Sequence, residues 1–169
     1  MKASEIFLTD GEFEALFGAE ISAVTRVLNE AAQEKCLACR GKCCRDIGCK
    51  LYSEKFGYCP IYDIRPRECR YHFCHVILGE APLSKEEKEL LQKPINEFFG
   101  GDKGQLAKMF PLFPMFAVSS DGLALLGIEE EVDSIMDAFE QGKLDQGHAA
   151  RLLRAVCLQR SLDNGNIVG

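Results

Sequence analysis

Residues 36–62 read CLACRGKCCRDIGCKLYSEKFGYCPIY, and the chain continues over 63–78 as DIRPRECRYHFCHVIL. Eight of the nine cysteines fall here (Cys36, Cys39, Cys43, Cys44, Cys49, Cys59, Cys69 and Cys74), and only Cys157 lies elsewhere. Across 36–62 no helical or strand periodicity can be traced, because glycine, aromatic residues and cysteines alternate irregularly. The expectation is an irregular segment whose few apolar residues do not offset its conformational entropy, so that bound metal has to order it.

Working outward, the periodicity returns on both sides. Residues 11–34 place Phe13, Leu16, Phe17, Val24, Val27, Leu28 and Ala31 at three- and four-residue intervals behind Thr9 and Asp10, which predicts an amphipathic helix with either residue as cap. Pro66 and Glu68 open a short helix to about Leu78, with Cys69 near its N-terminus, where free N–H groups favour a thiolate. Ser84 and Glu87 form a capping-box pattern ahead of a longer helix that Pro94 kinks or breaks. The stretch QLAKMFPLFPMFAV, with two prolines, reads as a buried strap or a short strand leading to LALLG. Residues 129–141 and 145–162 predict a closing helical pair, with Ala149, Leu152, Leu153, Val156 and Cys157 along one side of the second helix. Cys157 is expected to be a small core residue and His148 to be solvated.

The composition bounds the rest. With 169 residues, 47% hydrophobic and 27% charged, the chain fits one compact domain. The fold class expected is mainly α, a single small helical domain over 1–169, divided into an N-terminal helix (1–35), a cysteine-cluster segment (36–78) and C-terminal helices (79–169). A net charge of -6 disfavours generic contact with nucleic-acid phosphate. The opening MKASEIFLTDGEFEALFG has no continuous apolar run, and no stretch approaches the roughly 20 apolar residues that span a bilayer. The expectation is a soluble, cytoplasmic protein without membrane contact, with a protein partner possible and nucleic acid disfavoured.

In a reducing compartment, thiols this dense point to metal ligation rather than to a disulfide framework, which goes with export and small loop-rich chains. The two-residue spacer of Cys36 and Cys39 lets both sulfurs reach one ion while intervening N–H groups turn toward them. Adjacent Cys43 and Cys44 point to two metals, or to one ligand and one spare. All eight thiols are candidate ligands, with His72 and His75 as alternatives. Eight basic side chains (Arg40, Lys42, Arg45, Lys50, Lys55, Arg65, Arg67, Arg70) against four acidic ones (Asp46, Glu54, Asp63, Glu68) give residues 36–75 a balance of +4 inside an acidic chain. Such charge lowers the cost of holding a dianionic centre, with Arg65 and Arg70 beside it. Tyr52, Phe56, Tyr58, Tyr62, Tyr71 and Phe73 are expected to roof the site.

The C-x2-C-x3-C-C run followed by CPIYDIRPRECRYHFC resembles the YkgJ-type cysteine-cluster family, described as a zinc- or iron-chelating domain. The likeness covers Cys36 to Cys74, and Arg65, Pro66, Cys69 and Arg70 carry its most specific block. It implies a metal-binding cluster on the eight cysteines, and domains of this kind are also thought to hold iron–sulfur clusters.

The functional expectation is therefore a metal-binding protein with a redox or accessory role. A four-iron cluster is favoured slightly over zinc, because eight thiols, a basic surround and aromatic cover suit a charged polynuclear centre. Two alternatives stand beside it: a zinc-stabilised interaction module exposing Met109 to Phe116, and a metal-dependent enzyme, for which no nucleophile motif, phosphate loop or carboxylate pair names a reaction.

Overall fold

The computed structural model describes residues 3–66, 69–70, 84–90 and 118–159. Their architecture is mainly helical: a 3-10 turn (Ala3–Glu5), α1 (Asp10–Phe17), α2 (Ala19–Ala38), α3 (Lys42–Asp46), a second 3-10 turn (Tyr62–Ile64), then α4 (Ser120–Leu125), α5 (Glu129–Glu140) and α6 (Gln146–Leu158). Residues 85–90 are helical as well. Among the described residues, extended pairing is confined to one antiparallel bridge between Phe7 and Pro66. None of the described helices is long and apolar enough to cross a membrane.

The predicted N-terminal helix is two helices. Thr9 caps α1 in a reciprocal capping box with Glu12, and Gly18 at φ 88° ends α1 and begins α2, a conformation that L-residues with a Cβ rarely adopt. Phe13, Val24 and Leu28 are buried as the periodicity requires, whereas Leu16 and Val27 are exposed because the break rotates the two apolar stripes apart. Ser84 and Glu87 form the expected capping box, at 2.7 and 3.1 Å. LALLG, expected to follow a buried strap or short strand, lies in and just after α4, which Ser119 caps through the Gly122 N–H. The closing pair forms, with Asp145 capping α6 through His148 N–H, and Cys157 is fully buried in the core while His148 is exposed. The prolines of 109–116 and the kink at Pro94 lie outside the described residues.

One expectation about the fold is corrected. The stretch 36–62 is not short of apolar contacts: Leu51, Phe56 and Ile61 within it, and Ile64 just beyond, are between 0 and 4% exposed and belong to the main core. They pack with Ile6 and Phe7 from the N-terminus and with Val132, Met136, Phe139, Leu153 and Cys157 from the closing pair. Phe56 stacks on Phe139 with ring centroids 4.1 Å apart. The segment is a strap pinned by large side chains at irregular spacing, which a periodicity argument cannot register. Its first residues are also helical, since α2 runs on through Cys36 to Ala38.

Candidate functional site

Two cysteine pairs, Cys36 with Cys39 and Cys44 with Cys49, sit at the C-terminal ends of helices. At the C-terminus of α2, Arg40 N–H donates to Leu37 C=O and Gly41 N–H to Cys36 C=O, both at 3.1 Å, with Arg40 at φ 52° and Gly41 at φ 60°. At the C-terminus of α3 the same pattern recurs: Gly48 N–H to Arg45 C=O at 3.0 Å, and Cys49 N–H to Cys44 C=O at 2.9 Å, with Gly48 at φ 67°. Both are Schellman motifs, in which the backbone turns back on itself through a left-handed residue. In α3 the motif brings the residue three positions inside the helix, Cys44, against the residue two positions past its cap, Cys49.

The side chains follow the backbone. The turn sets the Cys49 and Cys44 side chains on one cavity, close enough for each thiol to influence the other's ionisation. Interaction with the Cys49 thiol, with the nearby Arg65 charge opposing desolvation, lowers the Cys44 thiol to about 7, while interaction with Cys44 and burial push Cys49 well above the usual thiol range. Cys59 is pushed up to about 11 by desolvation, against a smaller opposing pull from Arg65. Burial likewise raises Cys157 strongly.

Cys36, Cys39, Cys43, Cys44, Cys49, Cys59 and Cys69 line one cavity of about 420 Å3, together with Leu37, Leu51, Ile61, Val118, Tyr58, Tyr62 and Arg65. Arg65 is only 8% exposed; its guanidinium stacks on the Tyr62 ring at 3.7 Å and donates from Nη2 to the Asn29 side chain. The Tyr62 hydroxyl donates to the Asn29 carbonyl at 3.2 Å, and burial raises its ionisation.

The expectation of an iron–sulfur cluster or zinc is corrected by this geometry. Among the described residues, no group of three or more His, Cys, Asp or Glu side chains is placed to hold a metal ion. The cause lies in the backbone. A knuckle turns its N–H groups toward the sulfurs, whereas here the N–H groups of Cys39, Arg40 and Gly41 are bound to carbonyls of α2, and those of Ile47, Gly48 and Cys49 to carbonyls of α3. The Cys39 thiol itself donates to the Cys36 carbonyl, at 3.4 Å. The two functional alternatives that needed metal, the zinc-stabilised module and the metal-dependent enzyme, fall with it. Cys74, His72 and His75 lie outside the described residues.

The basic surround is corrected too. Lys42 pairs with Asp46, Arg45 with Glu54 at 3.4 Å, Lys50 with Asp133 at 2.8 Å, and Lys55 donates to the carbonyls of Phe139 and Glu140 at the end of α5. Arg70, expected beside a metal, holds the N-terminal segment instead, donating to the carbonyls of Leu8, Asp63 and Arg65 and to the Asp10 carboxylate. Among the described cations of residues 36–75, Arg65 is the one that lines the thiol cavity. Of the expected aromatic roof, Tyr58 and Tyr62 line the cavity, Phe56 is in the core, and Tyr52 packs over Gly41 with its hydroxyl donating to the Arg40 carbonyl at 2.7 Å. Tyr71 and Phe73 lie outside the described residues.

Asn29 and Gln33 were not singled out in the sequence, although a signal was present. They stand seven and three residues before Cys36 on one stripe of α2, visible once the helix is known to continue past residue 34. No family model matches the chain, and neither a curated protein nor a solved structure does, so the likeness to the YkgJ-type family is corrected together with the metal cluster it implied.

Proposed function

We propose that the protein is a redox-active dithiol protein that exchanges electrons with a disulfide-bearing substrate in the thiol-lined cavity. Cys44 is the nucleophile and Cys49 the resolving thiol. The observation that carries this reading is the turn at the end of α3, which bonds the Cys49 N–H to the Cys44 carbonyl at 2.9 Å and sets both thiols on one cavity. A thiol near 7 is substantially thiolate at neutral pH, and nucleophiles of this kind react fastest when their ionisation lies near the ambient pH.

The chemistry balances within the pair and its substrate. The Cys44 thiolate attacks one sulfur of the substrate disulfide, that S–S bond breaks, and one substrate thiolate leaves, taking up a proton. Cys49 then gives up its proton and attacks the Cys44 sulfur, displacing the second substrate thiolate, which is protonated in turn. The substrate gains two electrons and two protons, and the protein is left with a Cys44–Cys49 disulfide. The pair faces a cavity rather than open solvent, which suits a small substrate.

The reading is tested by equilibrating the reduced protein in dithiothreitol redox buffers and mapping disulfides by mass spectrometry after cleavage at Arg45. A Cys44–Cys49 disulfide is expected to form before any other pairing. Its absence, or the dominance of another pair such as Cys36–Cys39, overturns the assignment.

A further inference from the structure

The cavity carries a second chemical mark besides its thiols. Arg65 is 92% buried (8% exposed), and its Nε has no hydrogen-bond partner among the described residues. A buried guanidinium charge with no carboxylate partner is costly to desolvate, and an anion seated in the cavity that Arg65 lines offsets that cost. No aspartate or glutamate stands among the described lining residues, so nothing in the wall competes with such an anion. The rest of the wall offers mainly hydrocarbon and sulfur: Leu37, Leu51, Ile61 and Val118 supply apolar surface, and the other lining cation, Lys35, is exposed. A ligand with several charges, such as a peptide thiol carrying an ammonium and two carboxylates, would leave most of them without partners there. About 420 Å3 lies within the range of roughly 300–1,000 Å3 typical of small-molecule sites.

We infer that the cavity takes a monocarboxylate with an apolar body, its carboxylate against Arg65 and its chain along the aliphatic wall. Taken with the dithiol reading, on which this part rests, the substrate is an aliphatic disulfide bearing a single carboxylate. Arg65 is then a specificity-determining residue and Cys44 the group that meets the sulfur end.

The carboxylate assignment is separable from the redox one, because a ligand without sulfur tests it. Octanoate and octanamide are titrated into the reduced wild-type protein and into the Cys44→Ser/Cys49→Ser variant, with heat of binding as the readout. Octanoate is expected to bind at least tenfold more tightly than octanamide in both proteins, and Arg65→Met is expected to remove that preference while Arg65→Lys retains part of it. Equal affinity for the acid and the amide in wild type overturns the inference without recourse to any variant, as does absence of octanoate binding at millimolar concentration. If octanoate binds as expected and no Cys44–Cys49 disulfide forms in redox buffer, the carboxylate site stands and the dithiol reading fails.

Discussion

Lys55 reaches across from the cysteine-rich strap to the end of α5, where its ammonium lies 4.6 Å from the centroid of the Phe139 ring and donates to the Phe139 carbonyl. It thereby meets the negative end of a helix whose first turn carries three glutamates and whose last turn carries no basic residue. The strap is thus fastened to the closing pair by charge as well as by the Phe56–Phe139 stack. Replacing Lys55 with Met keeps most of the aliphatic contact and removes the charge. Loss of about 1 kcal/mol in urea denaturation is expected, from the dipole and the cation–π contact together. A change below a few tenths of a kcal/mol would show that this anchor contributes nothing.

The ionisation of Cys44 sets the pH at which the cavity reacts. Its alkylation by iodoacetamide should rise with a midpoint near 7, against about 8.5 for an ordinary cysteine, while Cys49 and Cys59 stay slow at neutral pH because their thiols are held protonated. In Cys49→Ala the neighbouring thiol is gone and the Cys44 midpoint should move up. The same depression enters stability with a definite sign. Since the folded value lies below the unfolded one, ionised Cys44 stabilises the fold fully above about 8.5, and this contribution is lost as pH falls through about 7. The Tm difference between wild type and Cys44→Ser should therefore shrink between pH 9 and pH 6.

Arg70 is 3% exposed and serves three backbone carbonyls, those of Leu8, Asp63 and Arg65, besides the Asp10 carboxylate at 2.7 Å. Arg70→Leu strands those carbonyls in the interior, at about 1–3 kcal/mol for each that finds no water. A total loss on the order of 3 kcal/mol is expected. Asp10→Asn should cost under about 1 kcal/mol, because Asp10 is 80% exposed and an exposed charge partner contributes little. Comparable losses for the two variants, measured by denaturant unfolding, would assign the stabilisation to the ion pair instead of the carbonyls.

The caps and the closing helices could be read directly from local residues, and the site could not, for a reason visible at Cys36 to Cys49. Thr9 with Glu12, Ser84 with Glu87, and Asp145 each act within three residues, so their spacing alone identifies them. The spacing Cys36-x2-Cys39 is equally local, yet it fits both a metal knuckle and a helix that ends in a Schellman turn. The difference lies in whether the N–H groups point at sulfur or at helix carbonyls, and Arg40 in the left-handed region gives no compositional hint of the second. The strap was misread for a complementary reason: Leu51, Phe56, Ile61 and Ile64 are buried by partners up to about a hundred residues away, which no window of sequence contains. Arg65 lines the thiol cavity, and the charge balance of the segment does not distinguish it from the other cations, whereas in the described residues every other cation of the segment except Arg40 has an ion pair or carbonyl partner.

Gly48 holds the turn on which the dithiol depends. It sits at φ 67° with open space where a Cβ would project, so substitution meets no neighbour and its cost is that of the backbone alone. For a residue with a Cβ that cost is about 1–2 kcal/mol, and it is smaller for Asn, whose short polar side chain tolerates the left-handed region. Gly48→Ala should therefore destabilise the protein by about 1–2 kcal/mol in urea unfolding and Gly48→Asn by less, with β-branched Gly48→Val the most costly of the three. Because the Cys49 N–H reaches the Cys44 carbonyl only while this turn persists, the iodoacetamide midpoint of Cys44 should rise in the same order as the loss of stability. A Gly48→Val protein that unfolds earlier but retains the wild-type midpoint would show that the two thiols meet for some reason other than the turn.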